Sequence, residues 1–403
     1  MESKPLPMVK PVEESAADAV ERASSGEFDT RQVLTITGGH FAKDTYSAFL
    51  PTLLPLLIEK LSLSLTQAGL VSAVTPLPAV LNPFIGYLAD RLSLRYFVIF
   101  APAATASLYS FLGLAPNYVV LAILLFSAGI STAAFHAPAP AIVTRVSGKQ
   151  LGKGMSIFMA GGELGRTLGP LLAVWGVTTW GLEGLWRVMV FGWAATAILY
   201  LRMRTIPART ASPSGLRAML PMLKRIALPL SLVVLARSFS VSSVSIFLPT
   251  YLDQQGQSLW IAGGALVVLQ GAGVLGALTS GPASDRWGRR LILAVTMGGG
   301  AAMLLLFLQL QGWLLIPVLL LMGFLVLSAQ PVLLAIVQEQ FTEHRAVANG
   351  LFMLITFAGQ SLSVLIIGRI GDLASLQSAY FWSALVGLLA LPVILALPSS
   401  ADQ

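Results

Sequence analysis

The fold of this chain is decided by a polar stretch that occurs twice, Gly281-Pro282-Ala283-Ser284-Asp285-Arg286-Trp287-Gly288-Arg289-Arg290 and, 195 residues earlier, Gly86-Tyr87-Leu88-Ala89-Asp90-Arg91-Leu92-Ser93-Leu94-Arg95. Two more repeats keep nearly the same spacing: Phe49-Leu50-Pro51-Thr52 returns as Phe247-Leu248-Pro249-Thr250, and Gly154-Met155-Ser156-Ile157-Phe158 has a weaker echo in Gly350-Leu351-Phe352-Met353-Leu354. Three repeats in the same order indicate an internal duplication. The chain is therefore predicted to contain two related halves.

The composition predicts a helical membrane protein. Only 11% of the 403 residues are charged, 56% are hydrophobic, and the mean hydropathy is +0.79, whereas about a quarter of the residues in a soluble domain are charged. So little charge cannot cover a water-facing surface, but helices facing lipid can be apolar all round. The 37 glycines suit close helix packing in lipid, and the short alternating segments of a β-barrel are not seen.

Apolar windows of about 20 residues, each long enough to cross a bilayer as a helix, predict twelve spans. They lie near residues 33–58, 66–89, 96–114, 118–144, 154–178, 185–203, 226–251, 259–283, 290–310, 313–337, 346–371 and 377–397. The predicted domains are a polar cytosolic tail (1–30), a six-helix half (31–203), a cytoplasmic linker (204–225) and a second six-helix half (226–403). The predicted fold class is an all-α membrane protein of two pseudo-symmetric six-helix bundles.

Lysine and arginine predict the orientation, because cytoplasmic loops carry an excess of them. One set of loops holds Arg91, Arg95, Arg145, Lys149, Lys153, Arg202, Arg204, Arg209, Arg217, Lys224, Arg225, Arg286, Arg289, Arg290 and Arg345, and the other side holds Lys60, Arg187 and Arg369. Both termini are therefore predicted to be cytoplasmic. The net charge of +7 is explained by this topology and does not indicate nucleic acid. The first 30 residues lack the apolar core of a cleavable signal peptide.

The repeated polar stretch resembles the loop motif of the major facilitator superfamily, and the resemblance extends over nearly all of the chain after residue 33. The second copy fits the family pattern fully, whereas the first has Ser93 for glycine and Leu94 for a basic residue. The resemblance implies a two-halved transporter with a motif that gates the cytoplasmic face. The implied gating residues are Gly86, Asp90, Arg91, Arg95, Gly281, Asp285, Arg286 and Arg290.

The physical chemistry of the motif suits a gate. Gly86 and Gly281 allow close helix contact, and Asp90 and Asp285 can accept hydrogen bonds from a helix N-terminus or an arginine. A static loop with positive charge on the cytoplasmic side is the alternative, and it explains Arg289 and Arg290. For the two aspartates we favour a latch that breaks as the halves rock.

A narrower resemblance is to the fosmidomycin-resistance branch, a group of bacterial drug exporters. It is carried by Gly39-His40-Phe41-x-x-Asp44-Thr45-Tyr46 with Leu50-Pro51-Thr52-Leu53-Leu54-Pro55, by Phe135-His136, and by Gly161-Gly162-x-x-Gly165-x-x-Leu168-Gly169-Pro170-Leu171-Leu172. The chain departs from this pattern at Glu163 and Arg166, where a small polar residue is expected. The basic residue that many drug–proton antiporters carry midway along the fourth helix is missing near Leu125-Phe126.

Charged side chains in an apolar helix are costly and are therefore functional hypotheses. In the first span, His40 and Asp44 share a helical face with Lys43 beside it. We predict proton coupling at Asp44, with His40 as its partner or as a gate, against the alternative of a static Lys43–Asp44 pair. Glu163 and Arg166 are three apart, so a coupling or substrate role competes with simple mutual neutralisation.

Four cationic or titratable residues are predicted to line the substrate cavity, Lys43, His136, Arg166 and Arg237. A single His136 is more often a packed residue than a ligand, and the Phe-His resemblance raises its interest modestly. Arg237 has no acidic neighbour in its own helix, so it either pairs with Asp44 or Glu163 across the halves or binds an anion. The excess of cations favours a small anionic or zwitterionic compound.

Glycines recur every four residues in the fifth span, at Gly161, Gly165 and Gly169, with Pro170 after them. In the resembled exporters this region corresponds to the antiporter motif. The spacing by itself predicts a flat face for close helix packing and, at Pro170, a kink.

The predicted function is proton-coupled export of a small drug-like compound by a transporter of the bacterial inner membrane. Import of a metabolite by the same fold is the alternative. An enzyme or scaffold is disfavoured, because the chain has three histidines, no cysteine and no Walker-type phosphate loop. We expect no cofactor or bound metal, a small-molecule substrate, a lipid bilayer around the helices, no nucleic-acid partner and a monomer.

Overall fold

The computed structural model describes residues 28–78, 94–136, 138–148, 150–203, 219–340 and 345–397. Nearly all of these residues are helical and none of them forms a strand, which confirms the predicted all-α class. The predicted tail lies outside the described residues up to residue 27, and the predicted linker lies outside them up to residue 218.

The helices fall into a first and a second set around the predicted linker. The first set is α1 Thr30–Ser47, α2 Phe49–Leu61, α3 Leu65–Val74, α4 Leu94–Ser110, α5 Tyr118–His136, α6 Ala139–Val146, α7 Leu151–Gly184 and α8 Met189–Met203. The second set is α9 Met219–Ile246, α10 Leu248–Gln254, α11 Leu259–Trp287, α12 Arg289–Phe307, α13 Leu315–Gln340, α14 Arg345–Leu373, α15 Leu376–Leu389 and α16 Leu391–Ile394. We call these sets the first and second halves.

Nine helical segments of the described residues are long and apolar enough to cross a membrane. One of them, Lys153–Met203, contains both α7 and α8. The charges in α1 lower its hydropathy, and α3 is described over only ten residues, so neither is among the nine. The structure thus shows a multi-pass helical protein, and the number of twelve spans stays a prediction.

The duplicated Phe-Leu-Pro-Thr sequence breaks a helix at the same place in each half. The chain passes from α1 to α2 at Ala48 and from α9 to α10 at Phe247. Pro51 and Pro249 lie in the first turn of the helix that follows. Proline has no N–H to donate to the carbonyl four residues earlier, and its ring crowds that carbonyl, so a continuous helix is disfavoured.

The hydrophobic core differs between the two ends of the bundle. We call the end where α1 begins and α16 ends the termini side, and the other end the opposite side. On the opposite side one continuous cluster joins both halves, with Leu53 and Leu57 in the same cluster as Leu248 and Leu252. On the termini side the described core residues form two separate clusters, one within each half. The halves are therefore joined at the opposite side.

Two helix pairs form the largest contacts between the halves, and the shorter helices α2 and α10 also pack against each other. Helix α7 packs against α11, and α3 packs against α14. Small residues permit this approach, since a Cβ on Gly263 would meet Val174 and a Cβ on Gly69 would meet the carbonyl of Val364. Within the first half, α1 packs most closely against α7, and this pair builds the site described next.

Candidate functional site

Helix α1 carries three ionisable side chains into the interior of the first half. His40, Lys43 and Asp44 are each only 1% exposed, so they are withdrawn from both solvent and lipid. A buried charge costs several kcal/mol unless it is paired and hydrogen-bonded. The arrangement around Asp44 supplies those partners.

Two cations hold the two oxygens of Asp44. Lys43 Nζ donates to Oδ1 at 2.7 Å, and Arg166 Nη1 of α7 donates to Oδ2 at 2.7 Å. The predicted Lys43–Asp44 pair is thus present, but it is part of a larger group that spans two helices. Charge-assisted hydrogen bonds of this length are among the stronger ones in proteins.

The two histidines complete the group. His40 Nδ1 lies 2.8 Å from the carbonyl of Phe158; because a carbonyl can only accept, Nδ1 carries the proton. His40 Nε2 lies 3.3 Å from Asp44 Oδ2 but at an angle that forms no hydrogen bond. His136, at the end of α5, accepts at Nε2 from Lys43 Nζ at 3.1 Å. His136 of α5 therefore contacts the charged residues of α1.

Arg166 also connects the buried carboxylate to the accessible part of the interior. Its guanidinium pairs with Glu163, one turn earlier on α7, as well as with Asp44. The Arg166 and Glu163 side chains are 36% and 35% exposed, against 1% for Asp44. A solute that reaches Arg166 can consequently influence Asp44 without entering the core itself.

Glycines of α7 let it approach α1 closely enough to form this group. A Cβ on Gly161 would meet Thr37, one on Gly165 would meet the backbone of Phe41, and one on Gly169 would meet the backbone of Thr45. The helix continues through Pro170, and its non-helical residue is Gly181, where φ is 74°. The glycine face thus lies against α1.

Gly162 was not singled out by the sequence analysis as a site residue, yet it lies directly on the site. A Cβ at this position would collide with the ring of His40. That ring is stacked on Phe158 with centroids 4.2 Å apart. Gly162 and Phe158 together fix the position of His40, and only the fold reveals their proximity.

Arg237 occupies the second half and is not part of this group. It is 6% exposed, its Nε has no hydrogen-bond partner, and it forms no ion pair with any residue that the structure describes. A pairing with Asp44 or Glu163, one of the two alternatives for Arg237, is not seen among the described residues. An anion bound directly by Arg237 is the alternative that remains.

A metal ion was not expected, but three potential ligands meet across helices. Ligand atoms of His40, Asp44 and His136 lie within 4.8 Å of one another. Sequence spacing does not show this group because His136 belongs to α5. The ammonium of Lys43 already contacts Asp44 and His136, so a cation other than a metal fills the position between them.

The predicted gating motif is described only in part. Gly86, Asp90 and Arg91 lie outside the described residues, and Arg95, in the first turn of α4, contacts the ring of Tyr96. In the second copy no atom of the described residues lies within 4 Å of a Cβ built on Gly281, so the close contact expected there is not seen among them. The gating role stays a prediction.

The polar groups of the second copy pair within their own half. Asp285 contacts Arg289 at 2.5 Å, and Arg289 also contacts Glu339 of α13 at 2.6 Å. Arg290 donates from Nε to the carbonyl of Leu397 at 2.7 Å, and Arg286 lies over the ring of Trp287. These contacts of Arg289 and Arg290 thus lie within the second half, and the static role given for them as an alternative stays a prediction.

Comparison with known sequences places the chain among transporters. The family model described as Major Facilitator Superfamily matches residues 37–361 and 265–402. The Fosmidomycin resistance protein of Escherichia coli (strain K12) is 25% identical over 373 residues, which cover 89% of this chain and 91% of that protein. An uncharacterised MFS-type transporter of Bacillus subtilis (strain 168) is 24% identical over 380 residues, covering 90% and 91%.

Solved structures share the fold at low sequence identity. A bacterial homologue of the human lysosomal transporter Spinster, in an inward-facing and occupied conformation, has a TM-score of 0.73 and 16% identity, covering 91% of this chain and 96% of that one. A D-xylose–proton symporter has a TM-score of 0.72 and 16% identity, covering 92% and 98%.

Proposed function

Because this chain belongs to the major facilitator superfamily, we propose that it is a secondary active transporter that exports a small anionic or amphiphilic drug-like compound in exchange for protons. The chain is a multi-pass membrane transporter and not an enzyme. The compound, the direction and the proton are the proposal. We further propose that it lies in a bacterial inner membrane with both termini in the cytoplasm.

Asp44 is the proton site in this proposal, and its burial between two cations is the observation that carries it. A carboxylate held by Lys43 and Arg166 stays ionised while both contacts last. If either cation moves away, the buried carboxylate is under-compensated and takes up a proton. Lys43, Asp44 and Arg166 all belong to the first half, so a shift of α7 against α1 within that half would change these contacts and link protonation to conformation.

An anionic compound is supported by the balance of interior charges. Lys43, Arg166 and Arg237 outnumber Asp44 and Glu163 by one, and Arg237 forms no ion pair among the described residues. A buried cation without a partner is costly, so an anion is expected to neutralise it. The relative named for fosmidomycin resistance supports export and suggests fosmidomycin as the first compound to test.

Import together with protons is the second candidate, and the position of Arg166 favours it specifically. An anion that binds Arg166 competes with Asp44 for the same guanidinium. Asp44 then loses part of its compensation and binds a proton more readily, so the anion and the proton bind together. Binding together gives symport, whereas antiport needs the two to bind in turn.

Proton movement in proteoliposomes separates the two candidates. The purified protein is reconstituted with a pH dye inside, and fosmidomycin or another organic anion is added outside without an imposed gradient. Antiport removes protons as the compound enters, so the interior becomes more alkaline. Symport brings protons in, so the interior becomes more acidic. We expect alkalinisation with fosmidomycin.

Asp44→Asn tests the proton site in the same assay. It should abolish proton movement in that assay, and uphill transport when a pH gradient is imposed, while the protein still expresses and folds, because an amide cannot take up the proton. Asp253→Asn is the matched control, since Asp253 is an exposed acid on α10, and it should behave as the unmodified protein. Uphill transport that survives in Asp44→Asn would remove Asp44 from the mechanism.

A further inference from the structure

One carboxylate of the second half binds the first half directly at the opposite side. Asp372 lies near the end of α14, and its Oδ1 accepts from the backbone N–H of Leu65 at 2.7 Å. Its Oδ2 accepts from the backbone N–H of Thr66 at 2.8 Å and from the Thr66 hydroxyl at 2.5 Å. Three hydrogen bonds therefore cross between the halves from one side chain.

These bonds complete the N-terminus of α3. Ser64 caps the helix from its own half, accepting from the N–H of Gln67 at 3.1 Å while the Gln67 side chain accepts from the Ser64 N–H. The N–H groups of Leu65 and Thr66, at the first two helical positions, have no partner within a helix. Asp372 supplies it, and its negative charge is favourable at a helix N-terminus.

The position of Asp372 is fixed by close backbone contact along the rest of the α3–α14 pair. A Cβ on Gly368 would collide with the carbonyl of Leu65, and one on Gly371 would collide with the Leu65 side chain. Further along, the Ser361 hydroxyl donates to the carbonyl of Ala73 at 3.2 Å. The carboxylate is therefore held at the start of α3 whenever these two helices are in contact.

The second pair of helices between the halves lacks such a bond. Where α7 meets α11, a Cβ on Gly263 would meet Val174 and one on Gly271 would meet Thr167. The N-terminus of α11 is capped by its own Ser258, whose hydroxyl accepts from the N–H of Ile261. No carboxylate crosses this pair in the part of the chain that the structure describes. The contact by Asp372 is thus confined to one of two related places.

We propose that Asp372 is a latch that holds the opposite side of the transporter closed by capping α3 across the two halves. The latch is distinct from the predicted motif of residues 281–290, which lies at the termini side, at the end of α11 and the start of α12. It depends on no substrate and no proton, so it stands independently of the function proposed above.

The latch favours one conformation because its bonds exist only in that one. Alternating access requires the halves to part at the opposite side when the termini side closes. Parting α3 from α14 removes three hydrogen bonds and leaves the Leu65 and Thr66 N–H groups to water. A contact that is present in one state and absent in the other shifts the equilibrium between them.

Distances between spin labels can measure this shift, because the chain contains no cysteine of its own. Pro116→Cys and Gln311→Cys place labels at exposed positions of the opposite side, one in each half. In the full-length protein in lipid nanodiscs, Asp372→Asn should raise the ratio of the long-distance to the short-distance population by roughly threefold to tenfold. Thr66→Val, which removes one of the three bonds, should raise that ratio by less.

Glu183→Gln is the matched control. Glu183 is an acid at the same side, but its partner Lys60, at 2.7 Å, belongs to the same half, so this variant should leave the distances unchanged. Unchanged distances in Asp372→Asn would overturn the latch, and so would an equal shift in Glu183→Gln. If Asp372→Asn does not fold, Thr66→Val decides alone: a shift supports the latch and its absence overturns it.

Discussion

Helices α1 and α9 begin the two halves and occupy equivalent positions, but the side chains that they bury differ in chemistry. The Phe-Leu-Pro-Thr repeat, at residues 49–52 and 247–250, aligns Asp44 with Ser242 and His40 with Ser238. In α1 these positions hold a buried carboxylate and imidazole within a group of charges. In α9 they hold hydroxyls, with Ser242 bonded to Ser363 at 2.7 Å and Ser238 bonded to the carbonyl of Val234 at 2.8 Å.

The difference shows that the fold does not require the charges. The serines of α9 satisfy their hydrogen bonds locally at little cost, and the helix is still buried and packed. The group around Asp44 must offset the desolvation of several ionised side chains. A costly group of charges at these positions of α1, absent from the equivalent positions of α9, is expected where function rather than folding needs it.

The largest effect is expected from Lys43→Met, which breaks the charged group while keeping most of the side-chain length. Asp44 Oδ1 would lose the hydrogen bond from Lys43 Nζ, and His136 would lose its contact with the same ammonium. Removing one partner of a buried ion pair costs about 3–5 kcal/mol. Denaturant unfolding followed by tryptophan fluorescence should show this loss.

Val241→Met is the control for Lys43→Met, because residue 241 is the counterpart of Lys43 in α9 and carries no charge. An equal loss in both variants would mean that packing at this depth, and not charge pairing, determines stability.

A smaller effect is expected from Gly162→Ala, which leaves the charges in place but displaces His40. The new methyl group would collide with the imidazole and push it from the Phe158 carbonyl. Overpacking of this kind costs about 1–3 kcal/mol. The transport rate, measured in the proteoliposome assay, should fall as well.

Gly38→Ala in α1 serves as the control, because no atom of the described residues lies within 4 Å of a Cβ there. If Gly162→Ala transports as well as Gly38→Ala, the His40–Phe158 contact does not matter for transport.

The smallest effect is expected from a change at Ser242, the counterpart of Asp44 in α9. Ser242→Ala removes one hydrogen bond to Ser363 and should cost about 0.5–1.5 kcal/mol. The pH-dye response should keep its sign and its size per compound transported. A lost proton response would show that the second half also holds part of the coupling site, and the comparison of the two helices would fail.

The fold could be predicted from the sequence because its determinants are local or repeated. Apolar windows find helices without knowledge of their neighbours, and the doubled motif between residues 86 and 290 indicates the superfamily. The helix breaks before Pro51 and Pro249 follow from the same local rule. The number of spans does not follow from hydropathy alone, because α1 carries charges that lower its hydropathy.

The site could be predicted only within a single helix. His40, Lys43 and Asp44 share a helical face, so their proximity follows from helical geometry. The contact between Asp44 and Arg166 joins residues 122 apart, and its existence depends on how α7 packs on α1. Both residues could be identified from the sequence, but their pairing could not.

Gly162 and Asp372 illustrate why the remaining residues could not be predicted from the sequence. A glycine in a glycine-rich helix is not unusual, and an acid at a helix end is normally solvated. Their importance lies in what they touch, the His40 ring and the start of α3. Neither contact leaves a pattern of spacing or an unusual charge in the sequence.

The joined core of the opposite side has a thermodynamic consequence. Leu53, Leu57, Leu248 and Leu252 belong to one cluster that spans both halves, so opening that side brings apolar surface into contact with water or lipid. Hydration of apolar surface raises the heat capacity. If water enters there, the free-energy difference between the form open at the opposite side and the form open at the termini side should depend on temperature along a curve. Cooling should weaken the closure of the opposite side.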